Sequence, residues 1–248
     1  MNAIYILWLR QLKRYLRSRA RVVASLGQPL LFLLALGFGM GPIFKKAGQG
    51  NYIQFLAPGV IGMTVLFTSV FSGIELIWDR QFGFLKEVLV APVPRITIMI
   101  GRTLGGATVA MIQGAIVIVI CFATGFRVTN WSAVPLALFF MVIIAIMFTA
   151  LGTAIASVLS DFQGFQLIMN FLVMPIFFLS GALFPLNAVP KTLQILASID
   201  PLAYGVDGLR EALVGIGHYG MALDIAVLAG ITVVLLGLGA RLFSKIQL

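Results

Sequence analysis

Charge, cysteine and histidine are all scarce in this sequence. Only 10% of its 248 residues are charged, whereas 60% are apolar, and the mean hydropathy is +1.07. A soluble domain carries about 25% charged residues, so this composition excludes a soluble fold and predicts an integral membrane protein. The single cysteine, Cys121, and the single histidine, His218, exclude a disulfide framework and a thiolate or zinc site within one chain. We therefore expect this chain to bind no metal.

Motifs of catalysis and nucleotide binding are also missing. Neither G-x-S-x-G nor H-E-x-x-H occurs, and no lysine follows a glycine, as the lysine of a P-loop must. The sequence therefore predicts a chain that is not an enzyme and binds no cofactor. The glycines Gly37, Gly39 and Gly41 lie within an apolar run, where we expect them to allow close helix packing rather than form a dinucleotide-binding turn.

Six apolar runs are long enough to cross a bilayer, which takes about 20 residues of helix. They lie at about 24–44, 55–77, 98–126, 134–158, 165–184 and 222–243. The short alternating segments typical of a membrane β-barrel are absent. The sequence thus predicts an all-α integral membrane protein whose six transmembrane helices form a single domain over residues 1–248.

The positions of Lys and Arg predict the orientation of these spans, because cytoplasmic loops are enriched in both. With the N-terminus inside, the inner side holds Arg10, Lys13, Arg14, Arg17, Arg19, Arg21, Arg80, Lys86, Arg95, Arg102, Arg241 and Lys245. The outer side holds Lys45, Lys46, Arg127, Lys191 and Arg210. We expect a multi-pass protein of the cytoplasmic (inner) membrane with both termini cytoplasmic. The net charge of +9 then requires no nucleic-acid partner.

Residues 1–22 have the pattern of an amphipathic helix. Apolar side chains recur at helical spacing from Ile4 to Leu16, and basic side chains occupy the other face. We expect this helix to lie on the inner membrane surface, with its basic face toward lipid phosphates and water. An anchor and a gating element both fit the pattern.

The predicted cytoplasmic loop at 79–95 contains a short helix that ends at Pro92 and Pro94. We expect Phe82, Leu85 and Leu89 to share one face of it. Docking on a soluble partner and a plain connection between two spans fit this pattern equally well.

The predicted outer cap at 185–221 is semi-apolar and contains two short amphipathic helices, at about 188–198 and 201–214, broken at Asp200-Pro201. Such helices lie in the outer interface or re-enter the membrane where protein buries them. A packed cap and a lid at an exit path both remain open.

Three ionisable residues, Glu75, Arg102 and Asp224, lie near the ends of spans, where we expect solvated head groups. The centres of the spans carry no charge. This disfavours a proton or sodium pump and a cation pore lined with acids.

Three stretches, taken in order, resemble the membrane subunits of ABC-2-type ABC exporters, in particular bacterial drug-resistance and lipo-oligosaccharide export permeases. They are residues 170–185 (NFLVMPIFFLSGALFP), the loop from Asp79 to Pro94, and the segment from Asp200 to Arg210. The likeness covers nearly the whole chain.

The resemblance implies a permease that forms a homodimer and works with two copies of a separate ABC ATPase subunit, which would bind the ATP and Mg. Membrane lipids would be further partners. The loop after the second span would be the coupling helix, and the residues expected to dock on the ATPase are Arg80, Phe82, Phe84, Leu85, Glu87 and Leu89.

The resemblance also implies that spans two and five line the path of an exported hydrophobic or amphipathic substrate, such as a drug, lipid or glycolipid. The candidate path residues are Phe67, Phe71, Asn170, Phe171, Met174 and Phe178. Two alternatives fit the same residues: a lipid-linked polysaccharide exporter permease, and a non-transport scaffold that recruits a soluble partner through the loop.

Overall fold

A computed structural model describes residues 2–46, 50–90, 92–159 and 161–246. All regular structure within those ranges is helical, and six helical segments are long and apolar enough to cross a membrane. These spans, numbered 1 to 6, are Val22–Lys46, Tyr52–Gln81, Arg95–Ala123, Trp131–Val158, Phe162–Leu179 and Met221–Ser244. The predicted all-α membrane protein with six spans is confirmed.

The ends of the spans differ from the sequence-based estimates by a few residues. The largest difference is at span 5, which was predicted to reach residue 184 and ends at Leu179. The following apolar residues leave the helix because Gly181 adopts a φ of 69°, which favours glycine and ends the helical hydrogen bonding.

Within the described residues, spans 1, 2 and 5 are interrupted. Span 1 contains the helices Arg19–Leu31 and Gly37–Lys46 around a π-helical turn, Phe32–Leu36. Span 5 is likewise Phe162–Ile168, a π-helical turn at Met169–Val173, and Met174–Leu179. Pro29 and Pro175 lie beside these turns, and the missing N–H of a proline favours such a change of hydrogen-bond register.

Span 2 divides into Tyr52–Phe71 and Ile74–Gln81, and span 4 has its α-helix at Val134–Val158 after a 3-10 turn, Trp131–Ala133. Spans 3 and 6 are continuous. A second 3-10 turn, Leu186–Ala188, follows span 5.

Among the described residues, four α-helices lie outside the spans: the N-terminal helix Asn2–Arg17, the loop helix Phe84–Val90, and the cap helices Lys191–Ile199 and Pro201–Val214. The Asp200 side chain starts the second cap helix by accepting a hydrogen bond from the Leu202 N–H at 2.9 Å. We call the end of the bundle that carries the loop helix the loop end, and the opposite end the cap end.

The second cap helix packs among spans 2, 4 and 6, and almost every residue from Leu202 to Leu213 is buried. Glycine allows this close approach, since a Cβ on Gly208 would collide with the Phe140 ring. The helix therefore enters the bundle instead of lying flat on its surface.

The three glycines of span 1 do not all serve helix packing. Gly37 packs on Ile53 as expected, because a Cβ there would lie 3.3 Å from the Ile53 side chain. Gly39 and Gly41 face open space, with no described atom within 4 Å of where a Cβ would lie.

Candidate functional site

A cluster of ion pairs joins three elements at the loop end. The buried carboxylate of Asp79, in span 2, accepts hydrogen bonds from Arg10 of the N-terminal helix at 2.7 and 3.1 Å. It also accepts one from Arg14 at 3.3 Å and another from Arg102 of span 3. Arg14 reaches Glu75, one turn earlier in span 2, at 3.5 Å. The cluster therefore ties the N-terminal helix to spans 2 and 3.

The expectation that Arg102 and Asp224 are solvated is wrong. The structure leaves 4% of Arg102 and 0% of Asp224 exposed, and the Glu75 side chain is also largely covered. For Arg102 the reason is the N-terminal helix and its partner Asp79, because a buried charge is tolerated when it is paired and hydrogen-bonded.

The N-terminal helix packs lengthwise on span 3 at two glycines, Gly101 and Gly105. Trp8 Nε1 donates to Thr108 Oγ1 at 2.9 Å, and the Tyr15 hydroxyl donates to the side chain of Gln113. Burial raises the pKa of Tyr15.

The basic face of this helix also differs from the prediction. Arg10 and Arg14 form ion pairs with Asp79 and Glu75, which the prediction of a basic face turned to lipid phosphates and water did not include. Lys13 remains exposed, as expected. The spacing held a signal for this pairing, because Glu75 and Asp79 are four residues apart, as are the two arginines, which places each pair on one helix face.

The loop helix is held against the bundle from one side. Gly83, with a φ of 79°, separates it from span 2. Leu85 is fully buried, and the Arg10 guanidinium lies 3.5 Å from the centre of the Phe84 ring. Phe82, by contrast, is 84% exposed. The predicted common face of Phe82 and Leu85 is therefore wrong, because the turn at Gly83 directs them apart.

The six residues predicted to dock on a partner thus divide into two groups. Phe82 and Glu87 are exposed, whereas Leu85 is buried and the others are partly covered: Arg80, Phe84 and Leu89. Arg80 Nη1 donates to the Leu159 carbonyl at 3.2 Å, at the end of span 4. Sequence reasoning missed the exposed Lys86 and Val90. Ala91, within the predicted loop at 79–95, lies outside the described residues.

Span 2 contacts span 5 next to the loop helix. The Trp78 ring stacks on Phe162, with ring centres 6.5 Å apart. Deeper in the bundle, Phe67 of span 2 meets Phe177 of span 5 edge to face, with centres 6.0 Å apart. The two spans are therefore joined by aromatic contacts at two levels.

A cavity of about 340 Å³ lies between the N-terminal helix and spans 1, 2 and 3. Its wall is mainly apolar, but polar side chains face it from several elements. The residues that matter here are Gln11, Tyr15, Gln28, Phe67, Phe71 and Glu75. A mainly apolar cavity of this size with a few polar groups suits a small amphipathic molecule.

The structure brings together two of the six predicted path residues, Phe67 and Phe71, whose rings stack with centres 6.2 Å apart in the cavity wall. The other four belong to span 5 and do not line this cavity. Asn170, Phe171 and Phe178 are exposed on the outside of the chain, and Met174 is half-buried.

At the cap end, Arg210 of the second cap helix is buried. Its Nη2 donates to the Gly181 carbonyl at 2.9 Å, and its guanidinium lies 4.0 Å from the centre of the Phe55 ring. Burial lowers the pKa of Arg210 to about 10, against the opposing effect of Asp207. Arg210 therefore fastens the second cap helix to span 2 and to the turn after span 5.

Residues 2–214 match the model of the ABC-2 type transporter family, so the chain belongs to that family. Its members are transmembrane permease subunits and are not themselves enzymes. The sequence-based identification of the family is thereby confirmed.

Named relatives are consistent with this assignment. The chain is 27% identical to nodulation protein J of Rhizobium leguminosarum bv. viciae over 211 residues, which is 84% of this chain and 81% of the relative. It is 26% identical to the inner membrane transport permease YadH of Escherichia coli K12 over 229 residues, 91% of this chain and 88% of the relative.

Proposed function

We propose that this chain is the permease subunit of an ABC exporter of the cytoplasmic membrane, powered by a separate ATPase that docks at the loop end. The loop end would then be cytoplasmic, together with both chain termini. Family membership and the name of the relative YadH support this assignment. A hydrophobic or amphipathic molecule would be the cargo.

The loop helix is the observation that carries the proposal. It has one face fixed on the bundle through Leu85 and Phe84 and an opposite face free for a partner. That free face carries the charges of Lys86 and Glu87, and the exposed ring of Phe82 lies just before the helix, on the other side of the Gly83 turn. A short helix with an apolar anchor and flanking charges suits insertion into a groove of a soluble protein.

Contacts behind the loop helix provide a route for movement into the membrane. A push on the helix would act on Arg10 through the Phe84 ring, and on span 2 through Asp79. The stacking of Trp78 on Phe162 would pass the movement to span 5. Closing and reopening of the ATPase would in this way tilt spans 2 and 5 between inward-open and outward-open states.

The cavity beside span 2 is the proposed entry site of the cargo. Phe67 and Phe71 offer apolar surface, and Gln11 and Glu75 offer polar groups toward the loop end. Tyr15, which donates to Gln113 of span 3, adds a polar group deeper in the bundle. This division matches a molecule with an apolar body and a polar head. A drug, a lipid and a glycolipid all have that character.

The exposed face of span 5 is the proposed contact with a second copy of the chain. Phe171 is 82% exposed, and next to it the exposed Asn170 presents an amide in an apolar span. In hydrocarbon such an amide is stabilised by hydrogen bonding to another helix. A homodimer through this face would place both copies of span 5 along the substrate path, as the family resemblance implies for Asn170, Phe171 and Phe178.

The test is isolation of the tagged chain from its native membrane in mild detergent, followed by mass spectrometry and an ATPase assay. We expect a P-loop ATPase to accompany the wild-type chain. Glu87→Lys and Phe82→Ala should reduce its recovery at least tenfold while the amount of inserted chain stays unchanged, because both side chains are exposed.

A matched control is Trp131→Ala, which removes an exposed aromatic ring at the cap end and should leave the ATPase bound. Recovery of the chain without any ATPase would contradict the proposal and favour a scaffold or a channel. A partner that binds through the loop helix but hydrolyses no ATP would identify the scaffold. Export of lipid-linked polysaccharide by reconstituted vesicles would identify that cargo.

A further inference from the structure

Three carboxylates meet at the cap end, apart from the loop helix and the cavity. Asp207 and Glu211 lie one turn apart on the second cap helix, and Asp224 lies in the first turn of span 6. One carboxylate oxygen from each lies within 4.8 Å of the other two. Three negative charges at such distances repel one another strongly, the more so away from water.

Asp224 points into this cluster without a partner. Its side chain is fully buried, and neither of its oxygens accepts a hydrogen bond from any described residue. Glu211 Oε2 is buried and unpartnered in the same way. A buried, unpaired carboxylate is strongly unfavourable, and it is relieved by a bound proton or by a bound cation, which the described side chains do not supply.

The nearby cation does not supply it. Arg210 donates to the Gly181 carbonyl and lies over the Phe55 ring, and its charge acts on Asp207 without forming an ion pair with it. Ion pairs among the described residues involve Asp79 and Glu75 and none of these three acids.

The surrounding backbone orients one carboxylate of the cluster, and an exposed loop lies beside the three acids. The amide N–H groups of His218 and Tyr219 donate to Asp207 at 2.7 to 2.9 Å, which orients its carboxylate. A Cβ on residue 217 would lie only 2.5 Å from Glu211 Oε2, so the lack of a side chain at Gly217 makes room for this oxygen. The loop that holds Gly217 and His218 is exposed, so the cluster lies next to a surface of the chain.

We propose that Asp207, Glu211 and Asp224 bind a hard divalent cation, Ca²⁺ in the first instance. Ca²⁺ takes six to eight oxygen ligands at 2.3–2.6 Å, so the ligands of one ion lie within about 5 Å of each other, as these oxygens do. The ion neutralises the cluster and joins the second cap helix to span 6. This site departs from the expectation that the chain binds no metal, which considered only cysteine and histidine ligands.

The test uses the full chain in detergent micelles, stripped of metal with EDTA. Ca²⁺ should raise the thermal unfolding midpoint of the wild-type chain, and Mg²⁺, which demands stricter octahedral geometry, should do so less. Tb³⁺ should bind with luminescence sensitised by Tyr219, whose N–H contacts Asp207, and by Tyr204, stacked on it at 4.6 Å.

The variant Asp224→Asn distinguishes a metal-binding role of Asp224 from a purely structural one. Without metal it should unfold at the same temperature as the wild type or higher, because one repelling charge is gone. Its affinity for Ca²⁺ should fall at least as much as for loss of an outer-shell partner, roughly 10- to 100-fold. Glu211→Gln, at a half-exposed position, should show the same loss if Asp224→Asn does not fold.

The control is Asp161→Asn, which removes an exposed carboxylate and keeps the helix cap on the Gly164 N–H. It should respond to Ca²⁺ as the wild type does. An equal response of Asp224→Asn and the wild type, or no response of the wild type, would overturn the proposal. Because this site lies at the cap end, neither result bears on ATPase docking.

Discussion

The two ends of the bundle bury charge in opposite ways. At the loop end, Asp79 and Glu75 face three arginines, Arg10, Arg14 and Arg102, and each carboxylate has a cation within 3.5 Å. At the cap end, three carboxylates face one another, and the nearest arginine points elsewhere.

The difference shows that the same physical penalty has two solutions. At the loop end, arginines of the chain itself neutralise the carboxylates, so the N-terminal helix and spans 2 and 3 are joined without any bound ligand. The cap end is completed only by something bound from outside, which makes its stability dependent on the surroundings. A fixed joint at the loop end fits an element that transmits force, and a ligand-dependent joint at the cap end fits an element that responds to its medium.

The largest effect should follow from breaking the loop-end cluster. Asp79→Asn leaves Arg102 buried without its carboxylate, and loss of one partner of a buried pair costs about 3–5 kcal/mol. The measurement is the free energy of unfolding in micelles. Adding Arg102→Met should recover most of that loss, since Arg10 and Arg14 can turn toward water. A change below about 0.5 kcal/mol in Asp79→Asn, typical of surface sites, would show that the cluster contributes little.

A smaller effect should follow from loosening the loop helix without touching its charges. Leu85→Ala opens a cavity under the helix and should cost about 2–3 kcal/mol. Phe82→Ala, at an exposed ring three residues away, should change stability by less than about 0.5 kcal/mol. For both variants, the free energy of unfolding measures the loss of stability, and limited proteolysis near Lys86 measures how loosely the loop helix is held. Equal destabilisation would mean that Phe82 also packs on the bundle.

The last effect concerns pH at the cap end, and it should be the smallest of the three when compared over a single pH unit. Burial raises the pKa of Asp200 from its ordinary value of 3.8 to about 8. The folded chain therefore holds a proton that the unfolded chain releases, and stability should fall as pH rises across that interval, by at most about 1.4 kcal/mol per pH unit. Asp200→Asn keeps the helix cap and has no proton to lose. The difference between the two unfolding midpoints should grow with pH, and a constant difference would contradict the shift.

The sequence was sufficient for the spans and insufficient for the contacts between them. Long apolar runs determine the six helices, because only a helix satisfies its own backbone in lipid. Placement of the cap helices followed from Asp200-Pro201, a local start signal. The pairing of Arg10 with Asp79 links residues 69 positions apart, and helical periodicity alone does not say which faces meet.

Burial was the property that misled sequence reasoning. Arg102 and Asp224 were expected at solvated interfaces because they lie near the ends of spans, yet neighbouring helices cover both. Leu85 and Phe82 were expected on one face because the turn at Gly83 cannot be seen in the apolar pattern. Each of these depends on how elements pack, which one span's composition does not record.

The most direct test of the contrast between the two ends is a set of unfolding curves, with Ca²⁺ and with EDTA, for the wild type, Asp79→Asn and Asp224→Asn. We expect Ca²⁺ to raise the midpoint of the wild type and of Asp79→Asn by the same amount, and to leave Asp224→Asn unchanged. A Ca²⁺ response that disappears in Asp79→Asn and persists in Asp224→Asn would contradict the contrast.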